Sequence, residues 1–257
     1  MLSFTYDELA AFLAAFLWPL ARVAALVGTA PILGNAGVPR RIKALAAIAI
    51  TLAISPLVQS LPAVDPWSGA GLVVLVQQVV IGVAMGLALR LVFTMVDVAG
   101  EITGLQMGLG FATFFDPLHG TQIPVIAQFL GLLASLVFLS INGHLMMLAA
   151  LAESFRILPI GTAGAGPPAW LALAGSGAAI FVTGLMLALP VIAALLITNV
   201  ALGILTRAAP QLNLFAVGFP AIILVGWIAI ALALPLAAPL LTQAFEEGLQ
   251  RMVAVLR

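Results

Sequence analysis

The sequence predicts an all-α, polytopic membrane protein. Of its 257 residues, 64% are hydrophobic and only 7% are charged, and the mean hydropathy is +1.27. A soluble domain carries about 25% charged residues, so this composition indicates a chain that lies mostly in a membrane. Long apolar runs alternate with short loops, and an apolar run of roughly 20 residues is the length that lets a helix cross a bilayer.

Six apolar segments are candidate membrane helices. They are residues 9–33, 44–62, 70–96, 123–151, about 172–206 and 212–242. The acidic pair Asp7 and Glu8 precedes the first segment, where a cleaved signal peptide would carry cations, so we expect that segment to be retained. Cations lie in the loops at 40–43 and at Arg207. The positive-inside rule places both loops in the cytoplasm and both chain ends outside.

Two of these helices are expected to be longer than a bilayer is thick. A helical pattern runs without interruption from Leu72 to about Gly108, which is ~55 Å at ~1.5 Å per residue. The hydrocarbon core is only ~30 Å thick. Residues 170–206 are also long, and Pro190 predicts a kink in their middle. Apolar helices of this length are covered either by lipid alone or also by protein partners above the membrane, and hydropathy does not distinguish the two. No repeat or linker divides the chain, which indicates one membrane domain over residues 1–257.

The composition excludes several classes of function. The net charge is +0 and there is no clustered cationic face, so nucleic-acid binding is not expected. The chain has no cysteine and only two histidines, and no nucleotide-binding or hydrolase motif occurs. We expect no cofactor, no metal and no enzymatic activity. His144 lies alone in an apolar helix, where it is either a packing residue or a proton relay.

Glycines recur along the long helix at 70–108. Gly82, Gly86, Gly100, Gly104 and Gly108 fall within about an 80° arc of a continuous helix. Small residues at every fourth position let another helix approach closely, so these glycines predict tight packing. The group Gly100, Gly104, Gly108 and Gly110 also permits bending, and a hinge is the alternative interpretation.

Large apolar side chains follow the glycines directly. Asp116-Pro117 and His119-Gly120 mark turns, so the pattern predicts a loop with large apolar side chains. Either the loop packs into the core of the protein, or it forms a hydrophobic plug that closes a pore by excluding water. The candidate plug residues are Gln106, Met107, Phe111, Phe114, Phe115, Asp116 and Pro117.

Four charges are candidates for an aqueous path or an interface. Arg90, Asp97 and Glu101 share one helix side, at spacings of seven and four residues. Asp97 and Glu101 repel each other at this spacing, which favours positions that face water or a cation. Arg22 is an isolated charge inside the first apolar segment, and such residues usually face a partner or a cavity.

Several blocks of residues are specific enough to point to a family. The most specific is GLQMGLGFATFFDP at residues 104–117, followed by IPV at 123–125, FLSINGHLMML at 138–148 and SFRILPIG at 154–161. In these blocks the chain resembles the FliR family of type III secretion export-gate subunits. Upstream, VPRRIKALAAIAI at 38–50 also fits, and the similarity covers nearly the whole length.

This resemblance implies a subunit of the flagellar export gate in the bacterial inner membrane. FliP-like and FliQ-like subunits and an FlhB-like protein are its implied partners, and unfolded flagellar proteins pass through the channel. Part of the assembly would stand on the periplasmic side of the membrane, in the basal body. Residues of about 106–117 match the family's plug loop. The N-terminal helices, about 1–168, would carry this loop, and 172–242 would form a FliQ-like hairpin.

A second hypothesis is a secondary transporter for a small solute. It would use the broken helix near 104–117, with Asp97 and Glu101 as ligands of a coupling ion. No inverted repeat is visible in the sequence, and buried charges are few, which favours the export gate.

Overall fold

The computed structural model describes residues 6–58, 62, 64–110, 124–161, 166–211 and 214–256. All regular secondary structure in these ranges is helical, which confirms the all-α prediction. The helices are α1 (Tyr6–Thr29), α2 (Arg40–Ile54), α3 (Gly69–Gln106), α4 (Val125–Ser140), α5 (Gly143–Ile157), α6 (Pro167–Gly175), α7 (Gly177–Ala208) and α8 (Leu214–Ala254). A short 3₁₀ turn, Ser55–Leu57, extends α2.

The long third helix is present with nearly the predicted bounds. α3 has 38 residues, which corresponds to ~57 Å at ~1.5 Å per residue. It begins at a side-chain cap, because the hydroxyl of Ser68 accepts a hydrogen bond from the Gly71 N–H at 3.1 Å. Asp65 orders the preceding turn by accepting from the Trp67 N–H at 3.0 Å. This cap and the unbroken apolar run that follows it explain why the helix starts where it does and is so long.

Three helical stretches in the described ranges are long and apolar enough to cross a membrane: Gly69–Gln106, Trp170–Ala208 and Ala216–Ala254. The pair α4 and α5 counts as a fourth if the two helices form one broken span. The six-segment scheme is therefore wrong in two places. α2 has only 15 residues and is ~22 Å long, so the predicted 44–62 segment does not form a helix long enough to cross the ~30 Å hydrocarbon core.

The second departure is the segment predicted to be continuous over 123–151. It breaks between α4 and α5, where Asn142 adopts a left-handed backbone conformation with φ 57°. Asparagine is among the few residues that tolerate this conformation, and Gly143 follows it directly. Hydropathy is uniform across the break and therefore does not reveal it.

The chain folds as two compact units. The first unit contains residues 1–91, 142–177 and 245–257, and the second contains 92–141 and 178–244. The core of the first unit includes Trp18, Leu26, Met85 and Leu151, and that of the second includes Met107, Ile126, Leu195 and Ile230. This division cuts across the predicted grouping into 1–168 and 172–242, because α3 and α8 each contribute to both units.

The glycines of α3 lie where neighbouring backbones come very close. In the first unit, a Cβ on Gly82 would meet the carbonyl oxygen of Arg22, and one on Gly86 would meet the Thr29 hydroxyl. In the second unit, a Cβ on Gly100 would meet the backbone of Ala127. Since no larger residue fits at these three positions, glycine sets the distance between α3 and its neighbours α1 and α4.

Candidate gate segment and its supports

The segment predicted as a plug begins at a well-defined helix end. The Gly108 N–H donates to the Leu105 carbonyl at 3.0 Å, and the Leu109 N–H donates to the Gly104 carbonyl at 3.0 Å. Gly108 has φ +77°. This pair of bonds around a left-handed glycine is a Schellman motif, which satisfies the last carbonyl groups of a helix. Gly108 therefore stops α3 immediately before the phenylalanine-rich residues.

Met107 anchors this helix end in the second unit. Its side chain is fully buried in a cluster with Ile126, Val191 and Leu195. It also occupies the space beside Gly226 of α8. A Cβ on Gly226 would lie 2.7 Å from the Met107 Cε atom and 2.8 Å from its Sδ atom. We call this arrangement the Met107 socket. The flexible thioether fills an irregular space that the missing side chain of Gly226 leaves open.

Two further contacts hold the residues around the socket. A Cβ on Gly108 would lie 3.4 Å from the Phe219 Cε2 atom, so the aromatic ring packs directly over the helix end. A Cβ on Gly110 would lie 2.7 Å from the Cδ2 atom of Leu105, so these two residues are also in close contact. Sequence reasoning identified Gly108 and Met107 but missed Phe219 and Gly226, which lie more than 100 residues away in a uniformly apolar helix.

Replacing Gly108 with alanine should destabilise the protein by about 1–2 kcal/mol, since a Cβ in the left-handed region costs that much. Asparagine at the same position should cost less, because it tolerates this conformation better. Thermal unfolding of the purified protein in detergent is the measurement. Gly161→Ala is the matched control, as nothing lies within 4 Å of a Cβ at that position. Equal unfolding temperatures for both alanine variants would contradict the Schellman assignment.

Only some of the other predicted plug and hinge residues lie within the described ranges. Gln106 is the last residue of α3 and is half-buried. Gly100 is fully packed against α4, and Gly104 makes ordinary contacts with Ile126 and Pro124. Phe111, Phe114, Phe115, Asp116 and Pro117 lie outside the described residues. Their proposed role thus rests on sequence, while the base of the segment at 106–110 has a defined structure.

The charges predicted to line a path are exposed on α3. Arg90, Asp97 and Glu101 all lie on its exposed side. In the second unit, Asp97 approaches α4 at a glycine, with its Oδ1 atom 3.6 Å from where a Cβ on Gly131 would be. These positions are compatible with contact to water or to a partner.

Arg22 has a different environment. It is completely buried in the first unit, and its guanidinium group makes four hydrogen bonds within the chain. Nε donates to the Gln78 side chain at 2.8 Å, and Nη1 donates to the carbonyl and hydroxyl oxygens of Ser154 at 2.9 and 3.0 Å. Nη2 donates to the Leu158 carbonyl at 2.9 Å, and the Phe155 ring centre lies 4.3 Å from Cζ.

This cluster explains why a charge is tolerated in the first apolar segment. Leu158 is the C-cap residue of α5, and its carbonyl lies among the last ones of the helix, which lack partners within the helix. The Ser154 carbonyl accepts the Leu158 N–H at 3.0 Å and the Arg22 guanidinium as well. A cation at this end is also favoured by the helix dipole. Arg22 therefore caps α5 and links it to α1 and α3. Its partners lie 56, 132 and 136 residues away, so no local pattern around Arg22 indicates them.

The described residues contain no group of three or more histidine, cysteine or acidic side chains that could hold a metal ion. The Nδ1 atom of His144 is buried and has no hydrogen-bond partner in the part of the chain that the structure describes. A proton relay needs a partner that exchanges the proton, so this role of His144 stays a hypothesis.

Comparison with known proteins identifies the family. The model of the bacterial export proteins, family 1, matches residues 13–248. The chain is 47% identical to flagellar biosynthetic protein FliR of Escherichia coli K12, over 96% of this chain and 94% of that protein. It is 44% identical to FliR of Pectobacterium carotovorum, over 100% and 98% of the two chains. The Bacillus subtilis FliR is 28% identical over 93% of both.

These matches confirm the resemblance and its extent over nearly the whole chain. They give no support to the small-solute transporter. With its long apolar helices, the chain is a membrane protein, and it belongs to the bacterial export proteins, family 1.

Proposed function

We propose that this protein is a non-enzymatic gate subunit of the flagellar type III protein export apparatus in the bacterial inner membrane. The residues of about 106–117 would form a plug that closes the export channel at rest. The family and the names of the relatives support a role in flagellar export. The observation that carries the gate proposal is the Met107 socket, because it fixes one end of the phenylalanine-rich segment firmly to the core.

The socket suggests how the plug moves. A gate needs a rigid base and a mobile tip, and the described geometry supplies the base at Met107 and Gly108. Bending at Gly100 would separate α3 from α4, since their backbones are in close contact there. We therefore infer that the chain bends after Gly108, at Leu109 and Gly110, beyond the last buried anchor. Phe111, Phe114 and Phe115 then exclude water from the closed channel, and an arriving polypeptide displaces them.

The exposed apolar surface supports assembly with other membrane subunits. The most apolar 18 residues of Trp170–Ala208 and of Ala216–Ala254 are only 22% and 17% buried, although their mean hydropathy is 2.7 and 2.5. Such surfaces need lipid or protein cover. FliP-like, FliQ-like and FlhB-like subunits are the proposed partners, in a basal-body assembly that stands partly on the periplasmic side. Unfolded flagellar proteins are the proposed cargo.

Changing Phe111, Phe114 and Phe115 together to serine tests the plug. We expect membranes of cells that carry this variant to leak ions many-fold faster than wild type, because a hydrophobic constriction excludes water only while its lining is apolar. Flagellar export should continue. The substitution leaves the contacts of Met107 and Gly108 in place, whereas a deletion that starts at Met107 would remove them.

The control for this variant is Trp67→Ser, which removes a 74% exposed aromatic side chain from the loop before α3. Ion leak would be followed with a potential-sensitive dye and export by swimming motility. Wild-type permeability in the triple variant, with the protein present at normal amounts in the membrane, would contradict the plug proposal.

A further inference from the structure

A groove in the first unit is open to a partner. It lies between α5 and the last turns of α8 and has a volume of about 850 Å³. Met146 and Ala150 line one wall, Val253 lines the other, and the polar side chains at the rim are Glu153, Glu246 and Gln250. On each wall the lining residues recur at helical spacing. Two adjacent helices with small residues between them form a trough that fits a third helix.

The charge of the groove restricts the occupant. Glu246 is exposed and has no hydrogen bond or ion pair among the residues that the structure describes. Glu153 has only a 3.7 Å contact with Arg156, and both side chains are about half exposed or more, so this pair contributes little. Two carboxylates thus border an apolar trough without close compensation. A lipid tail or an all-apolar helix would fill the trough but leave the carboxylates unpaired and desolvated.

We propose that this groove binds a hydrophobic helix from another membrane subunit, and that the helix carries a lysine or arginine within its apolar face. The cation would lie between Glu153 and Glu246, while apolar side chains cover Ala150 and Val253. The wall from Met146 to Glu153 covers seven residue steps, ~10 Å, so about two turns of the partner helix are in contact. The inference rests on the proposed function in one respect, namely that this protein works in a hetero-oligomer.

A binding experiment tests the charge preference directly. The chain has no cysteine, so Leu145→Cys gives a single site for a fluorescent donor on α5, outside the groove. The probes are two synthetic leucine–alanine helical peptides that carry an acceptor dye and differ only in one central residue, lysine or glutamate. With the purified protein in detergent, energy transfer should show that the lysine peptide binds at least about tenfold more tightly.

Two variants decide whether the groove causes this preference. Glu153→Gln with Glu246→Gln should abolish the difference between the peptides. Glu247→Gln should retain it, because Glu247 pairs with Arg251 at 3.1 Å and does not line the groove. Equal binding of the two peptides to the unchanged protein, or a preference that survives the double substitution, would overturn the proposal.

A second experiment separates this proposal from the proposed function. The protein is expressed with its neighbouring genes, and the purified membrane complexes are weighed by native mass spectrometry. Ala150→Trp fills the groove, and Leu145→Trp is the matched control on the same helix, at a side chain that is 55% exposed. Loss of the hetero-oligomer in the first variant alone supports the groove. Normal assembly of Ala150→Trp overturns it and leaves the gate function standing.

If the unchanged chain forms no hetero-oligomer, the proposed function fails, and the peptide experiment alone then decides the groove. Should Ala150→Trp prove unstable in detergent, Glu153→Lys with Glu246→Lys replaces it, since both side chains are exposed and their reversal does not disturb the core. Assembly that is unaffected by this charge reversal would equally overturn the proposal.

Discussion

Replacing Arg22 with methionine should destabilise the protein by about 3 kcal/mol or more, the largest effect expected from any single substitution in the first unit. Methionine fills a similar volume but offers no donors. The Gln78 side chain and the Leu158 carbonyl would then remain buried without this donor, and the Ser154 carbonyl would keep only its bond from the Leu158 N–H. Each unsatisfied buried group costs about 1–3 kcal/mol, and hydrogen bonds between membrane helices are at the lower end of such values.

Arg22→Lys should recover only part of this loss, because an ammonium group lacks the planar fork that reaches acceptors on three residues at once. Thermal unfolding and limited proteolysis in detergent are the measurements. Arg40→Met is the control, since Arg40 is an exposed arginine at the start of α2. If Arg22→Met and Arg40→Met unfolded at the same temperature, the cluster would have no role in stability.

A double-mutant cycle sharpens the assignment. Gln78→Leu alone leaves the Nε atom of Arg22 without its acceptor, and the combination Arg22→Met with Gln78→Leu removes donor and acceptor together. The double variant should therefore be more stable than the sum of the two single effects predicts. Strict additivity would show that the two side chains act independently.

The second large effect is expected at the Met107 socket. Gly226→Leu would place a branched side chain where Met107 now lies, since even a Cβ there would be 2.7 Å from the Met107 Cε atom. Overpacking a filled core costs about 1–3 kcal/mol. Because the same contact holds the base of the proposed plug segment, we also expect a raised ion leak, which a purely structural role would not produce.

Gly203→Leu is the matched control, as it lies in another apolar helix with nothing within 4 Å of a Cβ. Met107→Ala added to Gly226→Leu should restore stability by making room for the new side chain. Gly226→Ala should be milder than Gly226→Leu, because the flexible thioether can move aside for one methyl group. If Gly226→Leu had the same stability and ion leak as Gly203→Leu, the Met107 socket would have no role in the proposed gate.

Local features of the sequence predicted local features of the structure. The helical pattern from Leu72 to about Gly108 predicted a helix that is observed as Gly69–Gln106. Its residues Gly82, Gly86 and Gly100 lie where neighbouring helices approach most closely. The turn from helix to loop after Gly108 follows from glycine's tolerance of positive φ. These signals depend on residues a few positions apart, which is why a single sequence carries them.

Contacts between distant residues could not be predicted in the same way. Nothing near Arg22 indicates Ser154 or Leu158, and nothing near Met107 indicates Gly226. Such pairs form because helices pack, and a uniformly apolar sequence does not specify which faces meet. The prediction of six membrane spans was wrong for a related reason. Hydropathy responds to the apolar residues of α2 and to the continuous run at 123–151, but not to the shortness of α2 or to the left-handed Asn142.

The arrangement of the first unit constrains the order in which the protein folds during synthesis. This unit needs residues 1–91, 142–177 and 245–257, and Phe245, Met252 and Val255 are buried in it. The second unit is complete once residue 244 has been made. The ribosome synthesises the chain from the N-terminus, so Arg22 has no Ser154 partner until α5 has been made. The first unit is therefore expected to complete its folding after the second. Until then the first unit lacks the buried side chains of its C-terminal residues.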